Sequence, residues 1–481
     1  MARRPLTPLG ARRRHAARLA LYLSLATSAL VGVGLGRVAS EVVRRAPEVD
    51  DDSAEWLGID FAALPEVSLL QRYVAINTSY PDGDELAGAR FLETELARRG
   101  IQGQIEYLGR GRANFWAILE GREPGAVVLH SHIDVEEATT SADWAYAPFS
   151  GTIDGPWMYG RGVYDMKSLA IAQMVALFDL QAGTPRPRKS VIFLATSGEE
   201  TGSDLGMRWI IRQHPELVRR FDLLLTEGGA VDATTPSQIK YWGIEFGQKH
   251  FVDLRFCSSN RERLEDLRSD LLAYGKPDWP LHLSPEVREF ALRYGASRDL
   301  GLYRQLLLRP EELLLEADRF AQLTPILKAL FRNEIHVSVV TASTGGGWEL
   351  LAKLHLFPGQ PVSEGLAATL PVGIASDVVM TMRDPGGTQA VTPLTHPAYQ
   401  ILEDAVRAAH PQAVVGPLFS SWTASDARFV RDLGRPAFGF SPFLIVSSDT
   451  YYVGGPNERI SLAGYVRGVR LYSKVLRRLA N

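Results

Sequence analysis

His132 and Asp134 stand two residues apart at the end of an apolar run in VVLHSHIDV. In an extended chain alternate side chains share a face, so these two point the same way while Ile133 points into the opposite layer. A carboxylate so placed can accept the second ring N–H of a histidine and leave the other nitrogen for a cation. Downstream, Asp165 follows Gly160-Arg161-Gly162-Val163-Tyr164, a turn whose glycines let the backbone come close to a ligand. One carboxylate with two oxygens can bridge two cations. The stretch Ser197-Gly198-Glu199-Glu200-Thr201-Gly202 follows the apolar run Val191–Ala195. Adjacent carboxylates repel one another unless a cation neutralises one, and the other is then free to act as a base. Thr226-Glu227-Gly228-Gly229 closes a third apolar run. Each motif alone has a bland reading: a surface histidine, a helix N-cap at Asp165, solvated strand ends. Together, in successive units, they point to metal-assisted hydrolysis, with a phosphoesterase on the same carboxylates as a rival.

The elements that must position these residues follow from apolar patterning. Runs of strand length occupy Asn114–Leu119, Ala126–Val135, Ser190–Thr196 and Asp222–Thr226, with helical spacing at Asp84–Arg99, Ser168–Leu180 and Leu205–Gln213. Strands alternating with helices predict an α/β sheet with covered faces, and polar clusters just past strand ends are where such sheets place their sites. From 239 to 391 the texture changes to charged helical stretches beside strand-like Phe251–Phe256, His336–Thr341 and Ser376–Met382, which predicts an inserted α+β domain. The αβ texture returns over 392–481, through Pro397–Ala409 and a last amphipathic helix near Ser461–Leu479. The first part of the principal domain is thus expected over 67–238.

The chain has 481 residues, a net charge of -3 and one cysteine, Cys257. The charge argues against a nucleic-acid partner, and a lone cysteine excludes both an intrachain disulfide and a thiolate cluster. Residues 1–18 are basic and precede an uncharged run from Leu19 to Gly36. A bilayer span needs roughly 17–25 residues, so 19–38 is expected to be a transmembrane helix, with a cleaved signal sequence ending near Val38-Ala39-Ser40 as the alternative. On the first reading the basic tail is cytoplasmic and the rest of the chain extracytoplasmic, periplasmic or extracellular; on the second it is secreted. Residues 39–66 read as a linker.

With these motifs in view, the chain resembles the M20 metallopeptidases, the group of aminoacylases, carboxypeptidases, dipeptidases and N-acyl amino-acid deacylases. HSHIDV, GRGVYDMK, SGEETGS and TEGG occur in that family's order, and Ser425-Asp426-Ala427-Arg428, Gly434-Arg-Pro-Ala-Phe-Gly and Gly455-Pro-Asn-Glu-Arg-Ile are similar to its C-terminal motifs. The resemblance implies a zinc-peptidase-like domain, its central sheet flanked by helices, with the inserted domain as a lid. It implies one or two zinc ions, with manganese or cobalt as substitutes. His132 and Glu227 would hold the first ion, Glu200 the second, and Asp165 would bridge both. Glu199 would be the general base and Asp134 the orienter of His132. Arg383 resembles the arginine that grips a substrate carboxylate. The implied substrate is a small peptide or N-acyl amino acid, and the implied assembly a homodimer through the lid.

Two positions depart from the family. A metal-ligating histidine normally precedes GPNERI, and here that residue is Gly454, with Asp449 the nearest substitute in sequence. The lid's gHxS-like segment corresponds to Phe256-Cys257-Ser258-Ser259-Asn260, without histidine; His250, His336 and His355 are nearby and read by default as structural. These departures support a second reading, a catalytically inactive binding or scaffold protein on the extracytoplasmic membrane face.

Overall fold

The computed structural model describes residues 58–138, 143–273, 281–298, 301–370, 374–384, 386–387 and 391–481. These fall into two compact units. The first holds the described residues up to Glu245 together with Leu394–Pro417 and Arg435–Asn481; the second holds Phe246–Pro393 and Leu418–Gly434. Sequence texture put the second body at 239–391; the compact unit also takes in Leu418–Gly434, a return of the chain that no local pattern announces.

The first unit is built on a mixed sheet. Its strands lie in the spatial order Gly103–Gly109, Arg112–Leu119, Lys189–Thr196, Glu123–His132, Phe221–Thr226, Ala437–Gly439, Gln238–Gln248 and Val414–Ser420, and Ala230–Thr235 pairs with Gln238–Gln248. The centre is parallel: Glu123–His132 lies between Lys189–Thr196 and Phe221–Thr226, with His132 opposite Thr196 and Leu129 opposite Leu225. Val128, Leu129, Ile192, Phe193, Leu224 and Leu225 are all fully buried. Continuous apolar runs of this kind are what a parallel strand covered on both faces requires. Burying each such side chain stabilises the fold by about 1.5–3 kcal/mol. Helix Ser168–Gln181 packs against the C-terminal helix Leu462–Ala480. The first is apolar almost all round, with Leu169, Ile171, Met174 and Leu177 buried. The last carries Arg477 and Arg478 in its final turn, where the negative end of the helix dipole favours cations. Parallel order brings the C-terminal ends of Glu123–His132, Lys189–Thr196 and Phe221–Thr226 to one edge, and with them His132, the Glu199–Glu200 pair and Glu227.

The second unit contains an antiparallel sheet in the order Glu334–Val337, Trp348–Leu356, His250–Ser258 and Val379–Arg383, with Thr341–Ala342 pairing Trp348–Leu356. Helix Arg261–Ala273 buries Leu264, Leu267 and Leu271 in a core shared with Val252, Leu254, Phe256, Leu350 and Leu354. The every-other-residue burial from Val252 to Ser258 fits an antiparallel strand with one covered face.

The membrane placement is corrected. Among the described residues no helix is long and apolar enough to cross a membrane, and the relatives reported below give the anchor no support. The transmembrane helix at 19–38, the basic tail before it and the signal-sequence alternative all lie outside the described residues. The expected membrane partner and extracytoplasmic location are withdrawn.

Candidate metal centre

His132 closes its strand and is buried, with 1% of its surface exposed. Its Nδ1 lies 2.7 Å from the main-chain carbonyl oxygen of Asp134 and 3.6 Å from the Asp134 carboxylate. The nearer partner of the imidazole is therefore the carbonyl, because the strand ends at His132 and the chain turns before Asp134. That contact leaves Nε2 facing outward, 3.3 Å from Asp165 Oδ1 and 3.8 Å from Glu227 Oε2. The Asp134 carboxylate does something else: its two oxygens accept the main-chain N–H groups of Glu199, at 3.0 Å, and Glu200, at 2.9 Å. It thereby holds the acidic pair against the histidine strand.

The Glu199–Glu200 turn has a second anchor. Asn114 accepts the N–H of Ser197 at 2.8 Å and donates to the carbonyl of Leu205 at 2.9 Å, closing the loop across its base. Glu199 is 6% exposed. One ligand atom each from His132, Asp165 and Glu227 lie within 4.8 Å of one another, and so do atoms from His132, Glu199 and Glu200. The tertiary structure thus groups His132 with Asp165 and Glu227, and His132 again with Glu199 and Glu200.

Asp165 is not an N-cap. The helix begins at Ser168 with Lys167 in the capping position, and Asp165 itself has φ -107° and ψ 95°, outside helical geometry. Its segment is held from the far end of the chain. Glu458 is fully buried and accepts from the main-chain N–H groups of Gly162, Tyr164 and Asp165, at 3.1, 2.9 and 3.1 Å, and from Arg161 Nη1 at 2.8 Å. Gly162 has φ +79°, and a Cβ there would lie 2.4 Å from Val135 Cγ1, so this turn admits no larger residue. Glu458 lies within Gly455–Ile460, and residue spacing assigns it no role; its place in that motif is the signal that marks it.

His130, two residues before His132, also carries a structural role that its spacing does not announce. It bridges Thr226 Oγ1 at 2.7 Å and Thr196 Oγ1 at 2.9 Å, tying the histidine strand to both neighbours. Burial, and then the charge of His132, push its pKa down to about 3, so it serves as a neutral cross-strand brace.

Charge at the centre favours a cation. Burial opposes protonation of His132, yet the hydrogen-bonding carboxylates of Asp165 and Glu227 and the charge of Asp134 hold its pKa well above the ordinary value. Carboxylates gathered around the His132 imidazole supply the field that a divalent ion requires, and a cation there would take the place of the ring proton and free Nε2 as a donor.

The remaining candidates have the following surroundings. Gly454 offers no side chain, and a Cβ built on it would meet nothing within 4 Å. Asp449 is taken by Arg459, whose Nη2 and Nε donate to its Oδ1 at 2.6 and 3.2 Å. Arg383 ends an edge strand of the second unit, half-exposed and 4.0 Å from Asp253.

The family model for peptidase family M20/M25/M40 matches residues 128–478. The chain belongs to this family. Similar sequences include rat (Rattus norvegicus) aminoacylase-1B, 23% identical over 429 residues that cover 87% of this chain and 96% of that protein. A probable succinyl-diaminopimelate desuccinylase of Staphylococcus aureus is 31% identical over 140 residues, 29% of this chain and 34% of that protein. Among solved structures, an M20 family metallo-carboxypeptidase from Sulfolobus solfataricus superposes with a TM-score of 0.66 at 19% identity, covering 86% of this chain and 99% of that one. Human carnosine dipeptidase 1 gives 0.59 at 16% identity, covering 86% and 96%. M20 membership makes the chain a peptidase or amidohydrolase that cleaves amide bonds with the help of metal.

Proposed function

We propose that this M20 enzyme hydrolyses an amide bond in a dipeptide or N-acyl amino acid, next to a carboxylate of the substrate. The reading rests on one observation: His132 shares one group of ligand atoms with Asp165 and Glu227 and another with Glu199 and Glu200. The near full-length likeness to an aminoacylase supports the substrate class.

His132, Asp165 and Glu227 would hold one ion, zinc or in its place manganese or cobalt, and Asp165 with Glu200 would hold a second. When bound, such an ion polarises the scissile carbonyl and lowers the pKa of water to about 7. Glu199 takes a proton from the attacking water and passes it to the leaving nitrogen, so the C–N bond breaks as a carboxylate and an amine form. Asp134 keeps Glu199 in place through its main-chain N–H. Arg383 would pair with the substrate carboxylate, and a homodimer through the inserted domain belongs to the same reading.

Because Gly454 supplies no ligand, a second ion would be bound more weakly than the first. The test is an assay of the purified protein on N-acyl amino acids and dipeptides with zinc, manganese or cobalt. Turnover abolished by Glu199→Gln is the expected result. No turnover with any of these metals would favour an inactive, binding-only descendant.

A further inference from the structure

A second cluster of ligand-type side chains lies wholly within the second unit. Glu334 and His336 alternate along the strand Glu334–Val337 and so share a face, and Glu334 sits directly opposite His355 on the antiparallel strand Trp348–Leu356. Register alone therefore brings one carboxylate and two imidazoles together. One atom of each lies within 4.8 Å of the others, and the two rings are 4.4 Å apart between centroids. None of these residues belongs to the centre described above.

The nitrogen chemistry favours a ligand over a packing role. His355 is 5% exposed, and its ring hydrogen-bonds the main chain of Ser421. Its Nδ1 is buried and has no hydrogen-bond partner, so the Ser421 contact runs through Nε2 and leaves the Nδ1 lone pair facing the cluster. A ring held by a carbonyl on one side with its other nitrogen open is how metal-binding histidines are arranged. The Nε2 of His336 is buried and meets Glu334 Oε2 at 3.4 Å. That carboxylate oxygen accepts from Trp422 Nε1 at 2.8 Å, which fixes its orientation. The buried Nδ1 of His355, left unsatisfied, costs roughly 1–3 kcal/mol, a penalty that a bound cation relieves.

Two of the nearby cations, Lys249 and Lys353, are directed elsewhere. Lys249 gives its Nζ–H to the carbonyl of Arg332 at 2.7 Å, and burial pushes its pKa down to about 7. Arg332 approaches the other carboxylate oxygen of Glu334, at 3.8 Å. Lys353 turns to Asp253 at 3.4 Å.

We infer that Glu334, His336 and His355 form a further metal site of the zinc class, with two imidazoles, one carboxylate and an open fourth position. Its test uses the full-length protein carrying Asp165→Asn and Glu227→Gln, which removes two ligands of the first centre. After loading with zinc or cobalt(II) and desalting, metal is counted by mass spectrometry and the cobalt form is read by its visible spectrum. One retained equivalent with a tetrahedral cobalt spectrum is expected. Adding His336→Ala should weaken binding at least tenfold. The His336 side chain is 41% exposed, so this variant keeps its fold where His355→Ala could lose it. A background protein that retains no metal, or metal content unchanged by His336→Ala, would overturn the site.

Discussion

Glu458 accepts the main-chain N–H of Asp165 at 3.1 Å across 293 residues of chain. With Gly162, Tyr164 and Arg161 on the same carboxylate, one side chain from the C-terminal segment sets the path of the backbone that carries the central metal-ligand candidate. Glu458→Gln keeps the shape but replaces an acceptor oxygen with a donor. Outer partners of metal ligands are typically worth about 10–100-fold in metal affinity or activity, and a loss in that range is expected here. Glu458→Ala should be harsher, since it leaves the fully buried Arg161 without its countercharge at a cost of about 3–5 kcal/mol. Unchanged kcat and metal affinity in Glu458→Gln would remove the positioning role.

Glu199→Gln tests the proton carrier apart from the metal ligands. The amide keeps the main-chain contact to Asp134 but cannot accept a proton, so kcat should fall about 10²–10⁴-fold with metal content unchanged. Asp134→Ala should lower both kcat and metal retention, because both N–H groups of the acidic pair lose their acceptor. Metal analysis beside steady-state kinetics separates the two variants.

His410 makes stability pH-dependent. It is buried and stacked on Trp242 at 4.8 Å, and burial, followed by the charge of Arg467, pushes its pKa down to about 4. Between the ordinary histidine value of about 6.5 and this folded value, the unfolded chain binds more protons. The contribution is therefore complete above about pH 6.5 and is lost as pH falls toward 4, by up to about 3 kcal/mol. Denaturant midpoints followed over that window should fall in the wild type and flatten in His410→Gln. Parallel curves would refute the assignment.

Gly454→His asks whether the second ion lacks only its ligand. The position has φ +68°, which histidine tolerates at a cost of roughly 1–2 kcal/mol, and a Cβ there meets nothing within 4 Å. A Tm lowered by a few degrees without metal is expected. With zinc, the variant should retain a second equivalent more tightly and hydrolyse faster. Unchanged metal stoichiometry would mean that the present centre works with a different set of ligands.

Much of the site was legible before any coordinates. His132, Asp165, the Glu199–Glu200 pair and Glu227 each follow an apolar run or a glycine turn, and a parallel sheet must bring such ends to one edge. Helix Pro397–Ala409 has the bounds its pattern predicts. Within the inserted stretch read as charged and helical, residues 310–321 form two short helices, Pro310–Leu313 and Ala317–Ala321. The membrane helix rested on hydropathy in a segment outside the described residues, and no described helix supports it.

The chain's own sequence determined which chemical groups are present, and its local periodicity determined which of them end up at strand termini, since both depend on neighbours a few residues away. Tertiary structure alone decided which groups meet across long separations. Strand register put Glu334 opposite His355, the turn after His132 gave its imidazole the Asp134 carbonyl rather than the carboxylate, and the return of the C-terminal segment brought Glu458 to Asp165. These pairings depend on where the chain reverses and how strands align, and residue spacing does not encode those choices.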